Sequence, residues 1–389
     1  MPAPHAPSTL STIRTDVVGS LLRPADWKRA RARFDTGEFT AAAFRRIEDE
    51  LVAAAIGLQE AAGLDVVSDG ELRRLNFQDS FGDSVSGYAL GPAPMTLQRT
   101  EQRIATGKVH ARFDLPDLHE AGTPVTRRRP AVERLRMVRN VPLEEFEFAK
   151  KVATKPVKVA LIGPDRIQQR FDSAGSKAVY PSVDEFMADI VAIERRMIGE
   201  LVDAGCRYVH IDAPGYTAYV DEPSLGAMRA RGEDPEENLA RSIRADAAII
   251  ADFPEVTFGI HLCRGNQHSM WHREGTYDGI AERLFSELRY QRLLLEYDTP
   301  RAGGFAPLRF VRKGTVVVLG LISTKVPALE SVDELCRRID EAARYLPLDQ
   351  LAISPQCGFA SDAVGNLITE DDQRRKLERV VEVARRVWG

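Results

Sequence analysis

The chain has few cysteines, few aromatic residues and no long apolar run. Only four cysteines occur among 389 residues, so we expect no disulfide framework, and a core of this size needs none. Lysine and arginine number 53 against 57 aspartate and glutamate residues, which gives a net charge of −4 and no basic surface for nucleic acid. No apolar run approaches the roughly 18 residues that a membrane-spanning helix requires. These features indicate a globular cytoplasmic protein whose cysteines are buried, catalytic or metal-bound.

The first twelve residues are rich in proline, alanine and serine, and they lack the charged start and apolar core of a signal peptide. We expect residues 1–12 to form a disordered tail. Residues 13–389 are then long enough for one large α/β domain.

Short apolar runs alternate with amphipathic stretches along most of the chain. The eight predicted strands are Thr15–Ser20, Asp65–Asp69, Val157–Gly163, Arg207–Asp212, Val256–Cys263, Arg292–Tyr297, Thr315–Leu321 and Leu351–Ser354. The six predicted helices are Ala41–Ala62, Val183–Ala204, Pro235–Asp252, Tyr277–Leu288, Val332–Tyr345 and Glu370–Val387. Eight evenly spread βα units predict a (β/α)₈ TIM barrel, with an open doubly wound sheet as the competing architecture.

One stretch interrupts this rhythm. Residues 84–154, between the second and third predicted strands, are polar and rich in arginine, with Arg127, Arg128 and Arg129 in a row. We interpret this stretch as an insertion, a hairpin and a helix, that covers the mouth of the barrel. Its arginines could meet an anionic partner or form an ordinary solvated loop.

The sequence Gly-Ile-His-Leu-Cys-Arg-Gly-Asn ends the fifth predicted strand. His261 and Cys263 are two residues apart, so on a strand they face the same side. An imidazole and a thiolate on one face make half of a zinc site. By itself the pair could also be a buried cysteine beside a satisfied histidine.

Two further strand ends add to this pair. Glu296 follows three leucines at the end of the sixth predicted strand, where a carboxylate is costly unless it is paired or metal-bound. Cys357 lies just past the eighth predicted strand, in Pro-Gln-Cys-Gly. Because strand ends build the active site of a barrel, the sequence predicts a zinc site, whose ligands are His261, Cys263, Glu296 and Cys357. The alternatives are a salt bridge for Glu296 and a structural role for Cys357, with Asp298 as a rival ligand; we expect Cys206 and Cys336 to lie in the core.

At these residues the sequence resembles the cobalamin-independent methionine synthase family, specifically its catalytic C-terminal barrel. The family's zinc ligands are a His-x-Cys pair, a later glutamate and a cysteine in a Pro-x-Cys-Gly turn, so the resemblance implies Zn²⁺ at the same four positions. It further implies a methyl transfer to the thiol of homocysteine that gives methionine. Zinc favours the deprotonated form of a bound thiol, which is the nucleophile that this reaction needs.

The resemblance also implies residues that bind the substrate. Gly19 and Ser20 correspond to the Gly-Ser of the family's first strand, which binds the amino-acid carboxylate. Glu71, in Ser-Asp-Gly-Glu, and Asp212, in His-Ile-Asp-Ala-Pro, correspond to the acids that hold the ammonium group. His210, on the same strand face as Asp212, is our candidate for the acid that protonates the donor's leaving nitrogen.

The sequence departs from the family's pattern at several positions. Ala213 stands where the family has glutamate, Leu75-Asn76 stand where it has Asn-Asp, and the segment 265–277 is longer. These departures affect the methyl donor, which could be methyltetrahydrofolate or a methylated corrinoid protein.

Two other functions remain open. Epoxyalkane:coenzyme M transferases resemble the same family but use a thiol that carries a sulfonate, for which Arg73 or Arg74 would have to replace the two acids. A non-catalytic corrinoid- or metal-binding barrel is the third interpretation, because fold alone does not fix function.

Overall fold

The computed structural model describes residue 10, residues 12–89 and residues 129–389. Most of the predicted tail, together with Arg127 and Arg128, lies outside these residues. Among the described residues, we find no helix that combines the length and the apolar character needed to cross a membrane.

The described strands form two separate sheets. The strands are β1 (Val85–Tyr88), β2 (Ala131–Met137), β3 (Lys158–Ile162), β4 (Tyr208–Asp212), β5 (Thr257–Leu262), β6 (Arg292–Glu296), β7 (Val316–Ile322) and β8 (Leu351–Pro355). Strands β3 to β8 lie side by side in chain order, and every pair is parallel. Almost all of their residues are buried, as expected for parallel strands that are covered on both faces.

The first two predicted strands are not regular strands. Thr15 makes one parallel bridge to Ile353 of β8, and Val67 makes one to Val157, just before β3. Between the two segments, the Asp65 carboxylate accepts hydrogen bonds from the backbone N–H groups of Arg14 (2.8 Å) and Thr15 (3.0 Å). The backbone N–H groups of these two residues thus donate to a side chain and not to a neighbouring strand. The structure establishes a mostly parallel α/β fold with six regular strands, whereas closure of an eight-stranded barrel stays a prediction.

Helices connect the strands and cover the sheet. They are α1 (Ala25–Asp35), α2 (Ala41–Ala62), α3 (Asp79–Gly82), α4 (Val141–Val152), α5 (Pro164–Gln168), α6 (Val183–Asp203), α7 (Glu222–Ala230), α8 (Pro235–Ile250), α9 (Asp278–Glu287), α10 (Val332–Ala342) and α11 (Glu370–Trp388). Short 3₁₀ helices lie at Pro214–Val220, Pro300–Ala302, Ala306–Phe310 and Leu348–Gln350. All six predicted helices are present, with ends that differ by a few residues.

The stretch 84–154, predicted as an insertion, contains both hairpin strands and a helix in its described part. Strands β1 and β2 pair antiparallel. Helix α4 packs against β3 and between α2 and α6. The end of this stretch is therefore one of the helices that cover the parallel sheet.

A buried ion-pair network lies at the amino ends of the strands. The Asp16 carboxylate accepts hydrogen bonds from Lys158 Nζ (2.7 Å) on β3 and from Arg292 Nε (3.0 Å) on β6. Tyr208 Oη of β4 donates a third, at 2.7 Å. One carboxylate thus joins the N-terminal segment to three strands, and the functional residues lie at the opposite ends of these strands.

Candidate metal and substrate site

Three of the predicted metal ligands come together at the carboxyl ends of β5 and β8. His261 lies on β5, Cys263 directly follows this strand, and Cys357 is the second residue after β8. Their ligand atoms all lie within 4.8 Å of one another, and all three residues are buried. These three side chains are therefore close enough to hold a metal ion together. One nitrogen and two sulfurs are the donor set that zinc prefers.

The imidazole of His261 is oriented by a backbone carbonyl. Nδ1 lies 3.1 Å from the carbonyl oxygen of Leu294 and donates to it, so Nε2 is the ring nitrogen that can bind a metal. Nε2 is buried and has no hydrogen-bond partner among the described residues. A buried nitrogen lone pair beside two sulfurs fits a metal ligand that is held by a second partner.

The two sulfurs are hydrogen-bonded to each other. The Cys357 thiol donates to Cys263, which holds the pKa of Cys263 well below its usual range and raises the pKa of Cys357 well above it. A divalent cation would replace the thiol proton and stabilise both thiolates. The other two cysteines lie where we expected them. Cys206 is fully buried in the hydrophobic core, and Cys336 is partly buried and packs against this core.

Glu296 lies outside this group of three and is surrounded by positive charge. Its Oε1 accepts a hydrogen bond from Arg301 Nη2 (2.6 Å) and lies 3.6 Å from Lys325 Nζ, while its Oε2 accepts from the backbone N–H of Arg264 (2.5 Å). Burial would raise the pKa of Glu296, but Lys325, Arg264 and Arg301 lower it to about 2. The salt bridge considered as the alternative is therefore present, and ligation by Glu296 stays a prediction. The rival ligand Asp298 accepts a hydrogen bond from Ser323 Oγ (2.8 Å).

One cavity joins the three metal-type residues to the predicted substrate residues. Ser20, Glu71 and Asp212 line it together with His261, Cys263 and Cys357. Gly19, His210 and Glu296 are not among the described residues that line it.

Glu71 is the most strained of the acidic residues in this cavity. Its backbone φ is +53°, a left-handed conformation that a non-glycine residue adopts at a cost. Burial, reinforced by the negative charge of Asp212 and opposed by Arg74, raises its pKa to about 8. Its Oε2 lies 3.8 Å from Arg74 Nη1. Near neutral pH, Glu71 therefore carries a proton unless a cation enters the cavity.

His210 is hydrogen-bonded to Asp212. The His210 Nε2 lies 3.0 Å from Asp212 Oδ1, and the imidazole is fully buried. Burial, with Lys158 nearby, lowers the pKa of His210 to about 4, so the ring is neutral at pH 7 and donates this hydrogen bond. The structure thus gives His210 a contact that orients Asp212; its predicted role as an acid toward the donor remains a prediction.

Several residues that line the cavity were not predicted to act in the site. They are Asn76, Arg166, Asn266, His272 and Asp362. Arg166 follows the end of β3, the same kind of position that identified the metal ligands, so its location was an available signal. The burial of Arg166, together with the charges of Arg273 and Arg170, lowers its pKa to about 9. His272 comes from segment 265–277, whose length we interpreted as an extra loop near the site. A β-carbon on Gly265 would lie 2.0 Å from His272 Nδ1, so glycine makes this contact possible.

A histidine and two cysteines thus lie at the strand ends of a parallel α/β fold, next to buried acids, and together they form a candidate metal site of an enzyme. The family described as "Cobalamin-independent synthase, Catalytic domain" matches residues 13–110 and 122–386. The chain therefore belongs to the cobalamin-independent methionine synthase family, a family of methyltransferases.

Individual relatives agree with this assignment. The chain is 35% identical to "Uncharacterized protein YxjH" of Bacillus subtilis (strain 168) over 380 residues, 96% of this chain and 94% of that protein. It is 23% identical over 354 residues to "Methionine synthase" of Pyrococcus abyssi, which covers 90% of this chain and 87% of that protein. A solved structure titled as the putative vitamin-B12 independent methionine synthase from Listeria monocytogenes superimposes with a TM-score of 0.69 at 25% identity, covering 96% of this chain and 97% of the other.

Proposed function

We propose that the protein transfers a methyl group to the thiol of homocysteine and so produces methionine, with Zn²⁺ as its metal. The observation that carries the proposal is the single cavity in which His261, Cys263 and Cys357 face the acids Glu71 and Asp212. A thiol and an ammonium group are the two ends of homocysteine that this arrangement suits.

The residues present fit zinc as the metal. His261 supplies one nitrogen ligand, its buried Nε2 without a hydrogen-bond partner among the described residues. The hydrogen-bonded sulfurs of Cys263 and Cys357 supply two more ligands. Glu296 is proposed as the fourth ligand, which an incoming thiol could replace. When bound, zinc favours the thiolate form of a thiol that reaches it.

The acids would bind the amino acid end. Asp212 is held as a carboxylate by His210, while Glu71 is poised to lose its proton when an ammonium group enters between them. Ser20 lies on the same cavity wall, and glycine at position 358 leaves room for it, because a β-carbon there would lie 2.0 Å from Ser20 Oγ. We propose that Gly19 and Ser20 receive the carboxylate.

The methyl donor is methyltetrahydrofolate or a methylated corrinoid protein in this proposal. The proposal also includes closure of the sheet into a TIM barrel by the segments at Thr15 and Val67, which is supported by their parallel bridges to the two edges of the sheet.

A different thiol is the second candidate, and one observation favours it. Arg166 lines the cavity, and its Nε has no hydrogen-bond partner among the described residues. A guanidinium in this position could bind the sulfonate of coenzyme M. The buried Glu71 and Asp212 would then have no ammonium group of the ligand to bind, which is why we prefer homocysteine.

Calorimetry with the zinc-loaded protein tests the proposal. L-homocysteine should bind with net proton release, measured by repeating the titration in two buffers of different ionisation heat, because both the thiol and Glu71 lose protons. The Glu71→Gln protein should release about one proton fewer. Binding of coenzyme M without binding of homocysteine, abolished in Arg166→Gln, would instead establish the second candidate.

A further inference from the structure

A second cavity is lined by the residues that hold Glu296. It is open to solvent, and its wall includes Trp271, Asp298, Thr299, Arg301 and Lys325, together with Glu330, which accepts a hydrogen bond from Lys376. None of the three metal-type residues is among the described residues that line it. Oε1 of Glu296 is the oxygen that faces two cations of this wall, Arg301 and Lys325.

The wall of this cavity contains polar atoms that are buried and lack partners. Four such atoms have no hydrogen-bond partner among the described residues: Asp298 Oδ1, Thr299 Oγ1, Arg301 Nε and Lys325 Nζ. Lys325 is only 4% exposed, and Glu296 Oε1, at 3.6 Å, is beyond hydrogen-bond distance from its Nζ. Buried polar groups are expensive without partners, so their presence in one cavity indicates a ligand.

The charges indicate which kind of ligand this cavity accepts. Arg301 and Lys325 face two carboxylates. Arg301 Nη2 donates to Glu296 Oε1 (2.6 Å) and lies 3.8 Å from Asp298 Oδ1, while Lys325 Nζ lies 3.6 Å from Glu296 Oε1. If Glu296 turns to a metal ion, the two cations keep only Asp298, and one positive charge is left without a counter-ion. The ring of Trp271 lies 4.3 Å from Cζ of Arg301 and keeps the guanidinium in place at the cavity wall.

We propose that this cavity binds a small oxyanion, of the carboxylate, phosphate or sulfate type, between Arg301 and Lys325. The anion competes with Glu296 for these two cations and thereby frees Glu296 to reach the metal. Anion binding and metal ligation by Glu296 therefore strengthen each other, as any two linked equilibria must. The coupling rests on the proposed function, in which Glu296 is a zinc ligand, whereas the anion site itself does not.

Sulfate is a suitable probe because it is an oxyanion that binds zinc weakly. We would follow tryptophan fluorescence during sulfate addition at constant ionic strength, with chloride as the reference, for the metal-free and the zinc-loaded protein. Trp271 reports on the cavity, and Trp271→Phe should remove the signal while Trp27 and Trp388 keep their constant background. The zinc-loaded protein should bind sulfate about tenfold more tightly than the metal-free protein.

Variants separate the anion site from its coupling to the metal. Arg301→Gln and Lys325→Met should each weaken sulfate binding by about tenfold or more, since each removes a charge-assisted contact. Glu296→Gln should give the metal-free protein the affinity of the zinc-loaded one, because the competing carboxylate is gone. Arg309→Gln is the matched control, since Arg309 contacts Ala306 and Phe310 in the neighbouring 3₁₀ helix.

The outcomes distinguish this proposal from the proposed function. Saturable sulfate binding to metal-free Glu296→Gln supports the site even if the wild-type protein binds no zinc. Equal sulfate affinity with and without zinc, in a protein that does bind zinc, would overturn the coupling. No saturable binding in Glu296→Gln or in the zinc-loaded protein would overturn the site. Acetate in place of sulfate identifies the source, because tighter acetate binding points to the carboxylate of an organic molecule rather than to a free inorganic anion.

Discussion

The Glu71 carboxylate lies directly against the α-carbon of Gly19. A β-carbon built on Gly19 would come within 2.5 Å of Glu71 Oε1, closer than two such atoms can lie. The absence of a side chain at position 19 therefore decides where the carboxylate of Glu71 can be, although Gly19 does not itself line the cavity.

Gly19→Ala should displace Glu71 and weaken homocysteine binding by about tenfold or more, since the ammonium group would lose a charge-assisted partner. Zinc content should not change. Gly57→Ala, at an exposed helix position where a β-carbon has no neighbour within 4 Å, is the control. The measurement is homocysteine affinity by calorimetry, and equal affinities for both variants would show that Glu71 is not an ammonium ligand.

The raised pKa of Glu71 predicts a pH dependence of stability. The folded protein binds the Glu71 proton more tightly than the unfolded chain does, because burial raises the pKa of this carboxyl from its ordinary value of 4.5 to about 8. The stabilising contribution is therefore fully present below pH 4.5 and is lost as the pH rises through about 8. Glu71→Gln, which cannot ionise, should flatten the free energy of unfolding over this interval, as measured by urea denaturation of the metal-free protein. An unchanged slope would mean that Glu71 is already ionised in the folded state.

His210 should position Asp212 rather than transfer a proton. His210→Gln, whose amide can still donate to Asp212, should keep kcat within about tenfold, because only the hydrogen bond is needed. His210→Leu should raise the KM for homocysteine more than it lowers kcat. Steady-state kinetics across a range of pH make the comparison. Loss of one limb of the pH profile in His210→Gln would restore His210 as the general acid.

Cys263→Ser and Cys357→Ser should each weaken zinc binding by more than about 100-fold. Loss of a residue that only orients a metal ligand already lowers metal affinity by about 10- to 100-fold, and loss of the ligand itself should lower it further. Cys336→Ser, which lies partly buried on α10, should bind zinc like the wild-type protein. Competition with a chromophoric chelator gives the affinities. A variant at position 263 or 357 that keeps full affinity would remove that residue from the ligand set.

The strand-end residues were predictable because each follows a run of apolar residues. His261, Cys263 and Cys357 could be placed together from the positions of β5 and β8 alone, since parallel strands end at the same edge. The arrangement around Glu296 could not be predicted, because Arg301 and Lys325 reach it from loops whose conformation no local pattern fixes. The first two segments were predicted as regular strands because their sequences contain the apolar runs of a strand. The backbone N–H groups of residues 14 and 15 donate to the Asp65 carboxylate, and no sequence pattern predicts that contact.

The network around Asp16 has a consequence for the order of folding. Its partners Lys158 and Arg292 lie 142 and 276 residues further along the chain. During synthesis the N-terminal segment therefore cannot bury this carboxylate until β6 has left the ribosome, and contacts so distant in sequence form slowly. A nascent chain that ends before β6 should leave Asp16 without one of its two cations. Completion of the fold is then governed by residues far from the site, at the end of the strands where no chemistry takes place.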